Sequence, residues 1–131
     1  MKYVSRDEIK KKGIARLFRS VKFSIEGLVY AYRYEQSMWL HAIATIFTVL
    51  LGLFFHIKLS EWAIVFIALG IILAMELVNT AIEAAVDLTT LEINPLAKIA
   101  KDCGSAASFV LSLVAAVICL FVIGPYFVSM F

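Results

Sequence analysis

MELVNTAIEAAVDL, residues 75–88, decides how this chain folds. It continues an apolar run that begins at Trp62, with no turn residue between the two. Glu76, Thr80, Glu83 and Asp87 recur at i, i+4, i+7 and i+11. At about 100° per residue they fall within roughly 60° of one another on a helix, and Asn79 flanks them. The other face reads Leu77, Val78, Ala81, Ile82, Ala85 and Val86. One helix therefore carries three carboxylates and an amide on a single stripe. A carboxylate in hydrocarbon costs about 3 kcal/mol even on the mildest insertion scale, so acids at this depth face a bundle interior and mark function.

The surroundings of this stretch are those of a membrane protein. Of 131 residues, 63% are hydrophobic and 17% charged, against roughly 45–50% and 25% in soluble domains. That balance excludes a soluble globular domain, and no nucleic-acid partner is expected. The N-terminus is charged and lacks an apolar core near its start, so no cleavable signal peptide is expected. Cys103 and Cys119 share one apolar run. On a helix they stand about 24 Å apart, too far to bond, and read as small buried hydrophobes.

Residues 1–12 are polar and basic, and are expected to be mobile or to lie on lipid headgroups. In residues 13–35, Ile14, Leu17, Phe18, Val21, Ile25, Leu28, Val29 and Tyr32 follow helical spacing, with Arg16, Arg19, Lys22, Glu26 and Arg33 beside them. This pattern predicts an amphipathic helix in the membrane–water interface. Residues 36–57 hold no Asp, Glu, Lys or Arg and are long enough to cross about 30 Å of hydrocarbon. Further spans are expected at about 62–88 and 103–125. Residues 89–102 read as a polar loop broken by Asn94-Pro95, and Gly124-Pro125 as an end or kink. The expected fold is an all-α membrane protein, with one surface helix and three transmembrane helices in a single domain, 1–131.

Nine of the twelve Lys and Arg precede Gln36, two (Lys98 and Lys101) lie in the second loop, and only Lys58 lies in the first. The positive-inside rule places the N-terminus and residues 89–102 in the cytoplasm and the C-terminus outside. The acids then sit near the cytoplasmic surface, where nucleotides are. Gly104, Ser105, Ala106, Ala107 and Ser108 permit close helix approach, which predicts an oligomer.

Carboxylate oxygens suit Mg²⁺, which keeps waters and is commonly shared with phosphates. Glu83 with one more acid, such as Glu35, would hold it. Glu76, about 10 Å deeper along the helix, could instead take a proton from a membrane-embedded hydroxyl. Lys101 and Arg16 could hold phosphate oxygens. These parts suit phosphoryl transfer from a soluble nucleotide to a lipid alcohol. Intramembrane acids at this spacing also suit a proton or cation channel or transporter, and a structural subunit is a third reading. No Walker or kinase glycine loop and no zinc cluster is present. His41 reads as a polar interfacial residue rather than a ligand.

Glu76-Leu-Val-Asn79-Thr80-Ala-Ile-Glu83-Ala-Ala-Val-Asp87, followed by Ala100-Lys101-Asp102-Cys-Gly104-Ser105-Ala-Ala, resembles the signature of the prokaryotic diacylglycerol kinase family. The resemblance runs from about Gly13 to Pro125. It implies a homotrimer in the bacterial plasma membrane that moves the γ-phosphate of Mg·ATP to a lipid alcohol. It implies Glu76 as the general base, supported by Asn79, and Glu35 and Glu83 as metal ligands. It implies Arg16, Lys101 and Asp102 at the nucleotide and phosphate end, Glu92 near the nucleotide, and Ser105 on the lipid side. Arg16 also counts there among the substrate-binding residues, and Asp87 closes the motif without a defined role. Many members read Glu-Tyr-His where this chain has Glu92-Ile93-Asn94, and some carry Tyr where it has Phe23. One branch of the family acts on diacylglycerol and the other on undecaprenol. Glu35-Gln-Ser-Met-Trp-Leu-His41 is similar to the undecaprenol branch, which carries a His where the other has an acid. Ser60-Glu61-Trp62 and the Pro95–Asp102 segment agree, whereas Gly104-Ser105-Ala-Ala resembles the diacylglycerol branch.

Overall fold

Four helices account for nearly all of residues 13–131, which the computed structural model describes; the basic stretch 1–12 lies outside the described residues. They are α1 (Ile14–Tyr34), α2 (Gln36–Phe54), α3 (Leu59–Thr89) and α4 (Pro95–Val128), with no strand among the described residues. The chain forms two compact units, Met1–Tyr34 and Glu35–Phe131. In the first, α1 is amphipathic, as its spacing predicts. Its Lys22–Glu26 pair, 3.7 Å apart and exposed, is of the kind that contributes at most about 1 kcal/mol.

In the second unit, α2, α3 and α4 are each long and apolar enough to cross a membrane. Within it α3 is the most buried of the three, packing chiefly on α4 and less on α2. Its inward stripe is apolar at the start and polar later: Val65, Ala68, Leu69 and Ile72, then Glu76, Asn79 and Thr80. Ala68 and Ile72 close against Ala115 of α4, with Ile118 at the edge. Val65 and Leu69 pack with Ile57, Trp62, Val122 and Tyr126.

The helix ends are set locally. After α2 the chain turns through His56, whose φ of 50° is left-handed. His56 N–H donates to the Leu53 carbonyl and Ile57 N–H to that of Gly52, the paired bonds of a Schellman ending. At the start of α3, Lys58 N–H donates to the Glu61 carboxylate at 2.7 Å, and the Tyr126 hydroxyl of α4 donates to the same carboxylate at 2.6 Å.

Four boundaries differ from the sequence expectation, the first being the end of α2 at Phe54 rather than 57. The third long helix starts at Pro95, not near 103, because Asn94 caps it: its side chain accepts from the N–H groups of Leu96 and Ala97. Proline at the first helical position loses only an N–H that would have been unpaired, so Asn94-Pro95 starts a helix instead of breaking one. The second long helix starts at Leu59 rather than 62, since Glu61 satisfies the N–H of Lys58. Pro125 does not end α4, which continues to Val128. Both cysteines are free, and Cys103 is exposed on this chain rather than buried.

Candidate active site

Glu76 projects from α3 toward the other two helices of its unit and is 6% exposed. Three side chains reach its carboxylate. Ser37 of α2 donates to Oε2 at 2.6 Å, Ser108 of α4 donates to Oε1 at 2.6 Å, and His41 Nε2 of α2 lies 3.2 Å from Oε1. Hydrogen bonds to a carboxylate are among the strong ones, so three polar side chains from two other helices, the His41 imidazole among them, enclose an acid at membrane depth. Thr80, on the same stripe, turns its hydroxyl back to the Glu76 carbonyl at 3.0 Å.

One turn on, Asn79 Nδ2 donates to Glu83 Oε1 at 2.9 Å. A carboxylate only accepts, so this contact fixes which way the amide faces. Asn79 Oδ1 is buried and has no hydrogen-bond partner among the described residues. Gly104 leaves room for it, because a Cβ there would come within 2.5 Å of that oxygen.

Glu35, Ser37, His41, Glu76, Asn79, Glu83, Ser105, Ser108 and Ser112 line one cavity of about 500 Å³. Glu35 sits in extended backbone between α1 and α2. Its carboxyl is pushed above the usual carboxylate value, first by desolvation and then by the negative charges of Glu83 and Glu76. Among the described residues no three His, Cys, Asp or Glu side chains form a complete metal-ligand group. Mg²⁺ does not require one: it keeps several waters and takes one or two carboxylates plus phosphate oxygens. Glu35 and Glu83, mutually repelling on one cavity wall, fit that need, and the orphaned Asn79 oxygen fits a bound water. A second cavity of about 360 Å³ shares His41 and Ser112 with the first and is otherwise lined mainly by Leu40, Ala44, Thr48, Leu69, Ile72, Ala115, Ala116 and Cys119. A polar chamber thus adjoins an apolar one, as an amphipathic ligand requires.

Past Glu83 the polar stripe ends at the turn between α3 and α4. Asp87, Glu92, Asn94, Lys98, Lys101 and Asp102 surround a cavity of about 310 Å³ there. Lys101 Nζ donates to Asp87 Oδ1 at 2.5 Å, and Lys98 pairs with Asp102. Glu92 is exposed, its N–H held by the Thr90 hydroxyl at 3.1 Å. Exposed ion pairs contribute little, so Lys101 can exchange Asp87 for a phosphate at small cost.

Of the residues singled out in the sequence, Glu35, Glu76, Asn79, Glu83 and Ser105 meet at the first cavity, and Glu92, Lys101 and Asp102 at the turn cavity. Arg16 is exposed on α1, in the other unit. Ser37, Ser108 and the role of His41 were missed. Ser37 and His41 stand four apart in a span without charged residues, a one-face polar pair that could have signalled them. His41 is a partner of Glu76, a contact that its residue type alone does not predict.

The model of the prokaryotic diacylglycerol kinase family matches residues 22–123. The undecaprenol kinase of Bacillus subtilis is 34% identical over 110 residues, covering 84% of this chain and 89% of that protein. A diacylglycerol kinase of Helicobacter pylori is 36% identical over 101 residues, covering 77% and 79%. The diacylglycerol kinase of Escherichia coli K12 is 27% identical over 105 residues, covering 80% and 86%. A kinase takes ATP as its phosphate donor, and three long apolar helices seat this one in a membrane. The chain belongs to the prokaryotic diacylglycerol kinase family and is a lipid kinase.

Proposed function

We propose that the chain transfers the γ-phosphate of Mg·ATP to the hydroxyl of undecaprenol, giving undecaprenyl phosphate. The observation that carries this reading is the buried Glu76 carboxylate, hydrogen-bonded from two other helices, at the meeting of a polar and an apolar cavity. Glu76 is the general base: it takes the proton of the lipid hydroxyl as that oxygen bonds to the γ-phosphorus, whose bond to the bridging oxygen breaks to release ADP. Asn79 holds Glu83, and Ser105 lines the chamber that the lipid alcohol enters. Lys101 and Asp102, with Glu92, take the nucleotide and phosphate end. Glu35 and Glu83 would hold Mg²⁺, whose charge would offset that of the transferring phosphoryl group.

The whole chain, 1–131, acts as one plasma-membrane kinase domain. It works as a homotrimer, with its N-terminus and the α3–α4 turn in the cytoplasm and its C-terminus outside. Support for the trimer is the run of small residues 104–108, which lets helices approach closely in a membrane. Support for undecaprenol is the similarity to the Bacillus subtilis enzyme and to the His-bearing segment of that branch, His41 now lying beside the base. The similarity to the Helicobacter pylori diacylglycerol kinase favours a second reading, phosphatidic acid synthesis from diacylglycerol.

A side-by-side assay decides between them. Purified protein in detergent is given γ-labelled ATP, Mg²⁺ and either undecaprenol or diacylglycerol, and label is followed into the lipid phase. The expected result is a higher kcat/KM with undecaprenol. Preference for diacylglycerol selects the second reading, and ATP consumption without labelled lipid contradicts both.

A further inference from the structure

Glu76 Oε1 lies within hydrogen-bonding distance of both Ser108 and His41, while among the described residues Oε2 accepts from Ser37 alone. An ionised carboxylate has about four acceptor sites, two on each oxygen. Both sites on Oε1 are therefore used and one on Oε2 is open. Because the ionised carboxylate offers no proton, the imidazole must supply one, so His41 carries hydrogen on Nε2. Its ring comes from α2 and its acceptor from α3, and Ser37 lies one turn before it on the same helix. Two side chains of one helix thus grip both oxygens of an acid on another.

We propose that His41 is a positioning residue for Glu76. By donating from Nε2 to Oε1, it fixes the rotation of the carboxylate so that the free lone pair on Oε2 faces the cavity where the lipid hydroxyl arrives. His41 also lines both the polar and the apolar cavity. It therefore stands where the head of a lipid alcohol passes into its chain, but its effect on rate runs through Glu76. A serine on each oxygen already resists rotation of the carboxylate about its last bond. The third contact, on Oε1, tightens that restraint and narrows the base to a near-attack geometry. This role rests on the lipid-kinase reading with Glu76 as base.

The test uses the full chain in detergent micelles with saturating lipid alcohol, and three substitutions of different reach. In His41→Gln the amide nitrogen extends to the place of Nε2; in His41→Asn the same group falls short; His41→Leu has no donor. Losing a hydrogen bond to a charged group corresponds to about 10- to 100-fold in rate. His41→Leu and His41→Asn are expected to lower kcat by that factor with KM for ATP unchanged, and His41→Gln to restore most of the loss. Thermal melting of each variant separates a missing donor from a missing fold. If His41→Leu does not fold, the comparison of Asn with Gln carries the test, since both keep a polar side chain. Wild-type kcat in a folded His41→Leu overturns the proposal, as does a His41→Gln no better than His41→Asn. A raised KM for lipid at unchanged kcat also overturns it, because His41 would then bind substrate and not position the base. Glu76→Gln, assayed in parallel, keeps the two failures apart: normal turnover there removes the base itself, whereas an inactive Glu76→Gln beside an active His41→Leu removes only the role of His41.

Discussion

Asn79 commits its amide nitrogen to Glu83 and keeps its oxygen buried against Gly104. The close approach of α3 and α4 at this point leaves no room for a methyl group, since a Cβ on residue 104 would sit 2.5 Å from Asn79 Oδ1. Gly104→Ala is expected to push the amide aside, break its bond to Glu83 and lower turnover about 10-fold or more. Wild-type turnover in the Gly104→Ala enzyme would show that the contact has no part in the reaction. Glu83 itself lines a cavity wall that it shares with Glu35. Glu83→Ala should shift the Mg²⁺ titration of activity to higher concentration by about 10-fold or more, in line with loss of one charged ligand. An unchanged titration would take Glu83 out of the metal's reach. These dependences were only half legible in the sequence. The spacing of Glu76, Asn79 and Glu83 put them on one stripe, but their partners Ser37, His41 and Ser108 lie 32–39 positions from Glu76. No periodicity within α3 can name a donor on another helix.

At the scale of elements, hydrophobic periodicity and charge content located every long helix, because a span must bury its backbone polar groups in a continuous helix. Helix ends were harder to read. The charges of residues 95–102 suggested a loop, yet Asn94 and Pro95 make a cap and a first turn, and the charged residues are carried on a helix that extends beyond the apolar span. The turn from α2 to α3 shows the converse case. It needs a left-handed residue and has His56 there rather than glycine. A left-handed conformation costs a side-chain-bearing residue roughly 1–2 kcal/mol, part of which glycine's greater unfolded-state freedom offsets. His56→Gly is expected to raise stability by roughly 0.5–1 kcal/mol, measured by thermal melting in detergent, with activity unchanged because the turn is far from Glu76 in sequence and lines neither active-site cavity. A lower melting temperature would mean that the imidazole makes a compensating contact.

For the whole molecule, the polar stripe of α3 runs from an enclosed acid, through an amide and a half-buried acid, to an exposed acid paired with Lys101. That gradient matches the two phases in which a lipid alcohol and a nucleotide live. The enclosed end adjoins an apolar cavity, and the open end adjoins a cavity with lysines on its wall. Family membership makes the chain a lipid kinase; the gradient supplies a physical reason why such a small protein can bring a water-soluble donor to a membrane-bound acceptor. Its centre is Glu76, and the most direct measurement is the transfer of labelled phosphate from ATP to lipid alcohol by Glu76→Gln, purified in detergent with wild-type helicity and melting temperature. Loss of a general base predicts turnover reduced by about 10²- to 10⁴-fold, with KM for ATP little changed. Turnover within a few-fold of wild type in that preparation would contradict the assignment of Glu76 as the base.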